Sequence, residues 1–514
     1  MDGSGSLAEA FRAGVRQWPK APALVFGGRT TDYGTLDAMS DRVAAALAGR
    51  GMKPGDRVGL YCINSDAFVV AYFGIVKAGA VVVPINLLLN PKEIAFILED
   101  AGARGLIYFE AFAQNVQSLK SQVQSLEFAV CIGEKNPLGD IPFSSFLALQ
   151  APCPALQADP AEDLVAIIYT SGTTGRPKGA MLTHRNLVSN CRSVHQALHM
   201  EPGRDIFLLV LPMFHAFAAT AGMLSPLLAG GTIVPLPKFD PAQTADAIQA
   251  SGASIFMGVP SMFNLLLRLP PEYTAKLAPL RFAISGGAAM PVEIMRQFEE
   301  RFGKLIYEGD GPTECSPVTC VNPIGGRRKP GTVGRPVPGV EMKIMDEQGR
   351  EVARGQIGEL CVRGPNVMKG YWKLPAETAE AFFGDWFRTG DLGTEDEEGY
   401  FSIVDRKKDM IIVNGMNVYP RMVEEVLYRH PAVREVAVIG EPDELHGEVP
   451  AGYVSLKEGA AATEAELRAF CRESLGRHEV PRRVVFLPDL PKNAAGKILK
   501  RALRRDGEQE RGVP

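Results

Sequence analysis

Residues 169–179 read YTSGTTGRPKG and follow directly on the apolar run LVAIIY. The stretch offers backbone N–H groups, hydroxyls and one ammonium, the donor set that receives an anion. Gly172, Gly175 and Gly179 allow close backbone approach, Thr170, Ser171, Thr173 and Thr174 supply donors, and Lys178 can neutralise phosphate. The spacing is not Gly-x4-Gly-Lys-Ser/Thr, so a P-loop is excluded. Gly/Ser/Thr clusters are usually plain surface turns. Here a strand runs straight in and a helix with Thr183 as N-cap is expected to follow, which favours phosphate binding.

The elements that must position this segment alternate in type. From about residue 160 to 310, apolar runs (LVAIIY, DIFLLVL, GTIVPL, ASIFMGV, RFAIS, KLIYEG) alternate with helical patterns such as PVEIMRQFEERFG, where Ile294, Met295, Phe298 and Phe302 share one face. That rhythm predicts an α/β fold with largely parallel sheet. It recurs earlier, so residues 1 to roughly 330 are expected to form two packed α/β layers. Between about 325 and 400, Gly/Pro-punctuated strands predict an appended β-barrel-like subdomain. After DRKKD the order helix, strand, strand, helix, strand predicts a compact α+β module. The expected division is a large N-terminal domain over 1–407 and a small, mobile C-terminal domain over 408–514.

Length and charge narrow the function classes. A chain of 514 residues exceeds what one core usually supports. With 55 basic and 59 acidic residues it lacks the basic excess of a general nucleic-acid binder, so no nucleic-acid partner is expected. Eight cysteines without CxxC or zinc-like spacing, and a start without a cationic apolar leader, point to free thiols in a reducing cytoplasm. The apolar run AFVVAYFGIVKAGAVVVPINLLL is broken by Lys77, Gly79 and Pro84, so it reads as helix, turn and buried strand instead of a membrane span. Homodimer formation and peripheral membrane contact stay open.

YTSGTTGRPKG closely resembles the signature loop of the adenylate-forming superfamily, which includes acyl-CoA synthetases. The resemblance continues in order through LPMFHAF (211–217), SGGAAMP (285–291), GPTE (311–314), RTGDLG (388–393), DRKKDMIIVNGMNVYP (405–420) and PKNAAGKILK (491–500), covering essentially the whole chain. It implies attack of a carboxylate on the α-phosphorus of ATP, release of pyrophosphate, and transfer of the acyl group from acyl-AMP to a thiol. Both steps depend on charge neutralisation. The resemblance further implies that Thr170 to Lys178 surround the β- and γ-phosphates, and that Glu314, after Thr313, holds Mg²⁺ with Thr170 as a weaker second candidate. Asp391 matches the carboxylate on the ribose hydroxyls, and Arg406 a ribose-contacting arginine. Gly286, Gly287 and Ala288 match the segment along the adenine. The sequence departs from the family at Asp310, before Gly311, where an aromatic normally packs on the base, so that stack is lost.

In the amino-acid-activating members of the family it resembles, the segment matching MFHAF carries an Asp that pairs with the substrate ammonium; none stands here, so an α-amino acid is not expected. Phe214, His215, Gly258, Val259, Gly309 and Gly311 are the expected pocket walls; by itself His215 reads equally as a packed core histidine, and the resemblance implies a place near the reacting carboxyl. The walls offer apolar surface and space, which suits a medium- or long-chain fatty acid, with aryl and alicyclic acids as alternatives. No carrier domain is expected after Lys500, so coenzyme A is the expected acceptor, and the resemblance of VNGMN (413–417) to the family's pantetheine-tunnel segment implies entry past Gly415; an acyl-AMP ligase that loads a carrier protein is the alternative. Lys497 resembles the lysine that reaches the carboxylate and α-phosphate, and Lys408 matches the hinge position.

Overall fold

The computed structural model describes residues 5–170, 176–493 and 496–504. Among these, two large sheets dominate, of nine and eight strands. In the nine-stranded sheet, Ile206–Leu209, Ile255–Gly258, Phe282–Ser285 and Ile306–Asp310 lie side by side in parallel. In the eight-stranded sheet, Arg57–Tyr61, Val81–Pro84, Ala103–Phe109 and Leu164–Thr170 carry the parallel part. Parallel strands covered on both faces read as continuous apolar runs, which is how the sequence announced them.

The strand period explains the packing. Val82 points into the main core shared by both sheets, while Val81 and Val83 point into a second core behind the eight-stranded sheet. Asp66–Lys77, the turn at Gly79 and Val81–Pro84 are the expected helix, turn and buried strand, and no helix among the described residues is long and apolar enough to cross a membrane. The expected appended barrel is a five-stranded antiparallel sheet containing Trp386–Glu395 and Phe401–Arg406.

Beyond it stands a small C-terminal domain with a five-stranded sheet and its own apolar clusters. Its order of helix (Pro420–Tyr428), two strands (Val433–Asp443, Gly447–Leu456), helix (Glu464–Arg472) and strand (Arg483–Phe486) follows the expectation. A short hairpin, Ile411–Val413 with Met416–Val418, precedes it.

One local expectation is corrected. The phosphate-type stretch does not lead from strand to helix. Lys178–Thr183 is itself a strand and pairs antiparallel with Leu164–Thr170, because Ala180 and Leu182 alternate into the core. Thr183 does cap the following helix, His184–Ala197, in a capping box with Asn186, but a full strand separates that N-terminus from the hairpin tip.

Candidate active site

The hairpin brings Thr170 opposite Lys178, and across from them lies Glu314, in the short turn Thr313–Cys315 that follows Ile306–Asp310. Thr170 Oγ1 donates to Glu314 Oε1 at 3.4 Å, and the Tyr371 hydroxyl donates to the same oxygen at 2.9 Å. Lys178 Nζ stands 5.3 Å over the Tyr371 ring, close enough for cation–π attraction. Ser171, Gly172, Thr173, Thr174 and Gly175 lie outside the described residues. The turn that presents Glu314 requires glycine at 311, where a Cβ would come within 1.7 Å of the Pro317 carbonyl oxygen.

Glu314 is buried, and both hydrogen bonds described for its side chain end on Oε1. No group of three or more His, Cys, Asp or Glu is placed to hold a metal among the described residues. A single buried carboxylate beside a hydroxyl suits a hard cation shared with substrate oxygens, the mode typical of Mg²⁺.

A second group of charges forms where the antiparallel sheet meets the small domain. Asp391 and Arg406 are register partners on adjacent strands, with Arg406 Nε 3.3 Å from Asp391 Oδ1. Burial, and then the Asp391 charge, raise the Asp310 carboxyl; burial raises that of Asp391 against the pull of Arg406, and the two carboxylates hold the Arg406 guanidinium firmly protonated. Lys497 reaches the same group from the small domain. Loss of solvent, then the nearby Arg406, lower its pKa to about 8, against the pull of Asp391 and Asp310. Ser261 Oγ fixes this loop by donating to the Gly496 carbonyl at 2.8 Å.

Beside Asp310 opens a narrow cavity of about 50 Å³. His215, Gly286, Gly287, Gly309, Asp310 and Gly311 lie at its polar end. Its other walls are apolar, among them Val194, Leu198, Phe217, Ala221, Met257 and Val321. Phe217 and Ala221 come from a π-helical stretch, Phe217–Leu224, whose wider turn re-aims side chains and commonly marks functional sites. His215 is exposed to the cavity yet surrounded by protein; desolvation, then the Lys497 charge, lower its pKa to about 4, so the ring is neutral at pH 7.

The structure thus brings together Thr170, Lys178, Glu314, Thr313, Asp310, Gly311, Gly287, Asp391, Arg406 and His215 of the large domain and Lys497 of the small one at the domain junction. Ala288 is half-buried in the loop after Phe282–Ser285, beside Gly287. Three expected pocket residues fall elsewhere. A Cβ on Gly258 would meet Phe256 and Phe263, so that face of the strand looks into the core and its neighbour Met257 faces the cavity. Val259 and Phe214 are buried and do not line the cavity. Gly415 is exposed at the tip of its hairpin, where Asn414 (φ 50°) and Gly415 (φ 78°) form the left-handed turn that a two-residue hairpin needs. Lys408 is exposed in the turn after Phe401–Arg406 and contributes to the field at Asp391. Sequence reasoning missed Tyr371, in MKGYW, whose role depends on its short strand, Gly370–Tyr371, pairing with Ala180 and Met181.

Comparison with known proteins agrees with this arrangement. The AMP-binding enzyme family matches residues 11–372, and the AMP-binding enzyme C-terminal domain matches residues 422–497. The chain is 36% identical to the long-chain-fatty-acid–CoA ligase of Bacillus subtilis (strain 168), covering 97% of this chain and 94% of that protein. It is 37% identical to a feruloyl-CoA synthase from Amycolatopsis sp., covering 96% and 97%. Among solved structures, ATP-bound MatB from Rhodopseudomonas palustris superposes with a TM-score of 0.90 at 34% identity, covering 98% of this chain and 99% of that one. The same enzyme without nucleotide superposes at 0.80, also with 34% identity and the same coverage. This chain, with its separate small domain carrying a lysine to a cleft of carboxylates and glycine turns, is a member of the AMP-binding enzyme family.

Proposed function

We propose that the acid activated by this AMP-forming acyl-CoA ligase is a medium- or long-chain fatty acid. The observation that carries the reading is the cavity itself: its polar end holds His215, which feels the Lys497 charge, and Asp310, which feels those of Asp391 and Arg406, and the remaining walls named above carry no charged group that would hold a second polar end of a substrate. The relative named for long-chain fatty acids supports it.

In this reading the acid lies with its tail against Met257, Phe217 and Val321 and its carboxylate toward His215. Neutral His215 leaves that carboxylate an anion and competes for no proton. Lys497, protonated at pH 7, offsets charge as the carboxylate oxygen attacks the α-phosphorus and the bond to pyrophosphate breaks. Thr170 and Lys178 receive the leaving phosphates. Glu314, with Thr170, would hold Mg²⁺, which would supply charge neutralisation on the pyrophosphate. Asp391 orients the ribose and Arg406 holds Asp391 in place. Coenzyme A then attacks the acyl carbon and AMP leaves; the small domain turns about a hinge at Lys408, between domains spanning 1–407 and 408–514, and brings Gly415 toward the thiol's path. Eight free cysteines, seven of them buried, accord with work in a reducing cytoplasm.

The feruloyl-CoA synthase relative favours a second reading, an aryl acid. A panel of carboxylic acids, scored by pyrophosphate release and by the thioester formed with coenzyme A, decides between them. Fatty acids of about eight carbons or more are expected to lead; ferulate or benzoate in the lead would overturn the proposal, and a thioester formed only on a carrier protein would reassign the acceptor.

A further inference from the structure

Arg421 opens the helix Pro420–Tyr428 of the small domain, yet its polar bonds run to the large one. Its backbone N–H donates to Asp405 Oδ2 at 2.9 Å, and its Nη1 donates to the Ile403 carbonyl. Its Nη2 lies 3.8 Å from Glu308 Oε1, the Glu308 side chain being 1% exposed and that of Arg421 11%. All three partners precede the proposed hinge. They also belong to two different sheets, since Glu308 is on the strand that ends at Asp310 and Ile403 and Asp405 are on the strand that ends at Arg406. One side chain therefore locks the small domain against both strands that feed the charged end of the cleft.

Glu308 makes this contact directional. Its Oε1 accepts from the Met290 N–H at 2.9 Å, but its Oε2 is buried without a partner among the described residues. Burial, with the like charges of Glu425 and Asp310, pushes the Glu308 carboxyl up to about 7, and Arg421 is the cation that pulls against it. A carboxylate buried this way is costly to leave alone. Rotation of the small domain would withdraw Arg421 and leave Glu308 unpaired. Neither residue lines the cavity.

We propose that Arg421 and Glu308 form a latch that holds the small domain in the orientation that places Lys497 in the cleft, which makes Arg421 a positioning residue for acyl-AMP formation. This rests on the reading above that Lys497 serves the first half-reaction and that the domain then turns. Each half-reaction is measured by single turnover in Arg421→Gln, Arg421→Lys, Glu308→Gln and the Arg421→Gln/Glu308→Gln pair, with Lys497→Ala as reference. The expected result is that Arg421→Gln and Glu308→Gln each slow acyl-AMP formation by roughly tenfold, while supplied acyl-AMP and coenzyme A are converted at the native rate or faster. The retained second half-reaction also reports an intact fold. Arg421→Lys should recover part of the loss, and the double variant should be no slower than the slower single. Equal loss of both half-reactions, or singles that multiply in the double variant, would overturn the latch. So would no loss in either single while Lys497→Ala abolishes acyl-AMP formation. If Lys497→Ala itself forms acyl-AMP normally, the assignment of Lys497 falls first and the latch with it.

Discussion

Glu314 and Lys497 serve one cleft and are positioned in opposite ways. Glu314 is wired into the large domain: Thr170 and Tyr371 donate to its carboxylate, and the Met368 N–H donates to its carbonyl at 2.7 Å. Those partners are set by strand register, because Tyr371 pairs with Ala180 and Thr170 with Lys178. Lys497 arrives on a loop of a separate body, tied across the junction by Ser261 to the Gly496 carbonyl, by Asn264 to the Arg434 carbonyl and by the Arg421 contacts. A group fixed by register is present at every stage of a reaction, whereas a group carried by a lightly tied domain can leave after one stage.

Breaking the wired side should cost most. Glu314→Gln keeps the shape and the two hydrogen bonds but removes the charge, so ATP should still bind while turnover falls by roughly 10²–10³-fold, the scale of losing a preorganised charge partner. Near-native turnover at limiting Mg²⁺ would take Glu314 out of the metal site. Next comes the turn that carries it. Gly311→Ala drives a Cβ against the Pro317 carbonyl and should lower stability by about 3 kcal/mol, read as a lower thermal midpoint together with impaired pyrophosphate release. An unchanged midpoint would show that the turn relaxes freely.

The cavity sharpens the contrast through strand parity. Met257→Trp should shorten the preferred acyl chain, while Gly258→Trp should damage the Phe256–Phe263 core and leave the chain-length profile unchanged. The reverse pattern of chain-length profiles would place the pocket on the other face of the strand. The smallest expected effect concerns pH. Burial holds Lys497 down to about pH 8, so it is charged below that value and loses its proton above it. Acyl-AMP formation should therefore decline as pH rises through about 8, and Lys497→Arg, which stays charged, should remove that decline if it remains active. A profile equally steep in Lys497→Arg would assign the titration to another group.

Much of the frame was legible because buried parallel strands are long apolar runs; KLIYEG and RFAIS became neighbouring strands as their composition implies. KGAMLT escaped because only two of its residues, Ala180 and Leu182, alternate into the core, too short a pattern to stand out from the glycine-rich stretch before it. Spacing along the chain says nothing of Tyr371 meeting Glu314, since that contact is made by a two-residue strand. Nor could it distinguish Met257 from Gly258, because which face of a strand meets a cavity is decided by what packs behind it. Nothing in their local sequence links Arg421 to Glu308; only the docking of two domains makes them a pair.

The central claim is that the two sides of the cleft serve different stages, and single-turnover measurement of both half-reactions in Lys497→Ala tests it most directly. Acyl-AMP formation should be nearly abolished, while conversion of supplied acyl-AMP and coenzyme A to thioester proceeds at the native rate. Loss of both steps in equal proportion would contradict the account.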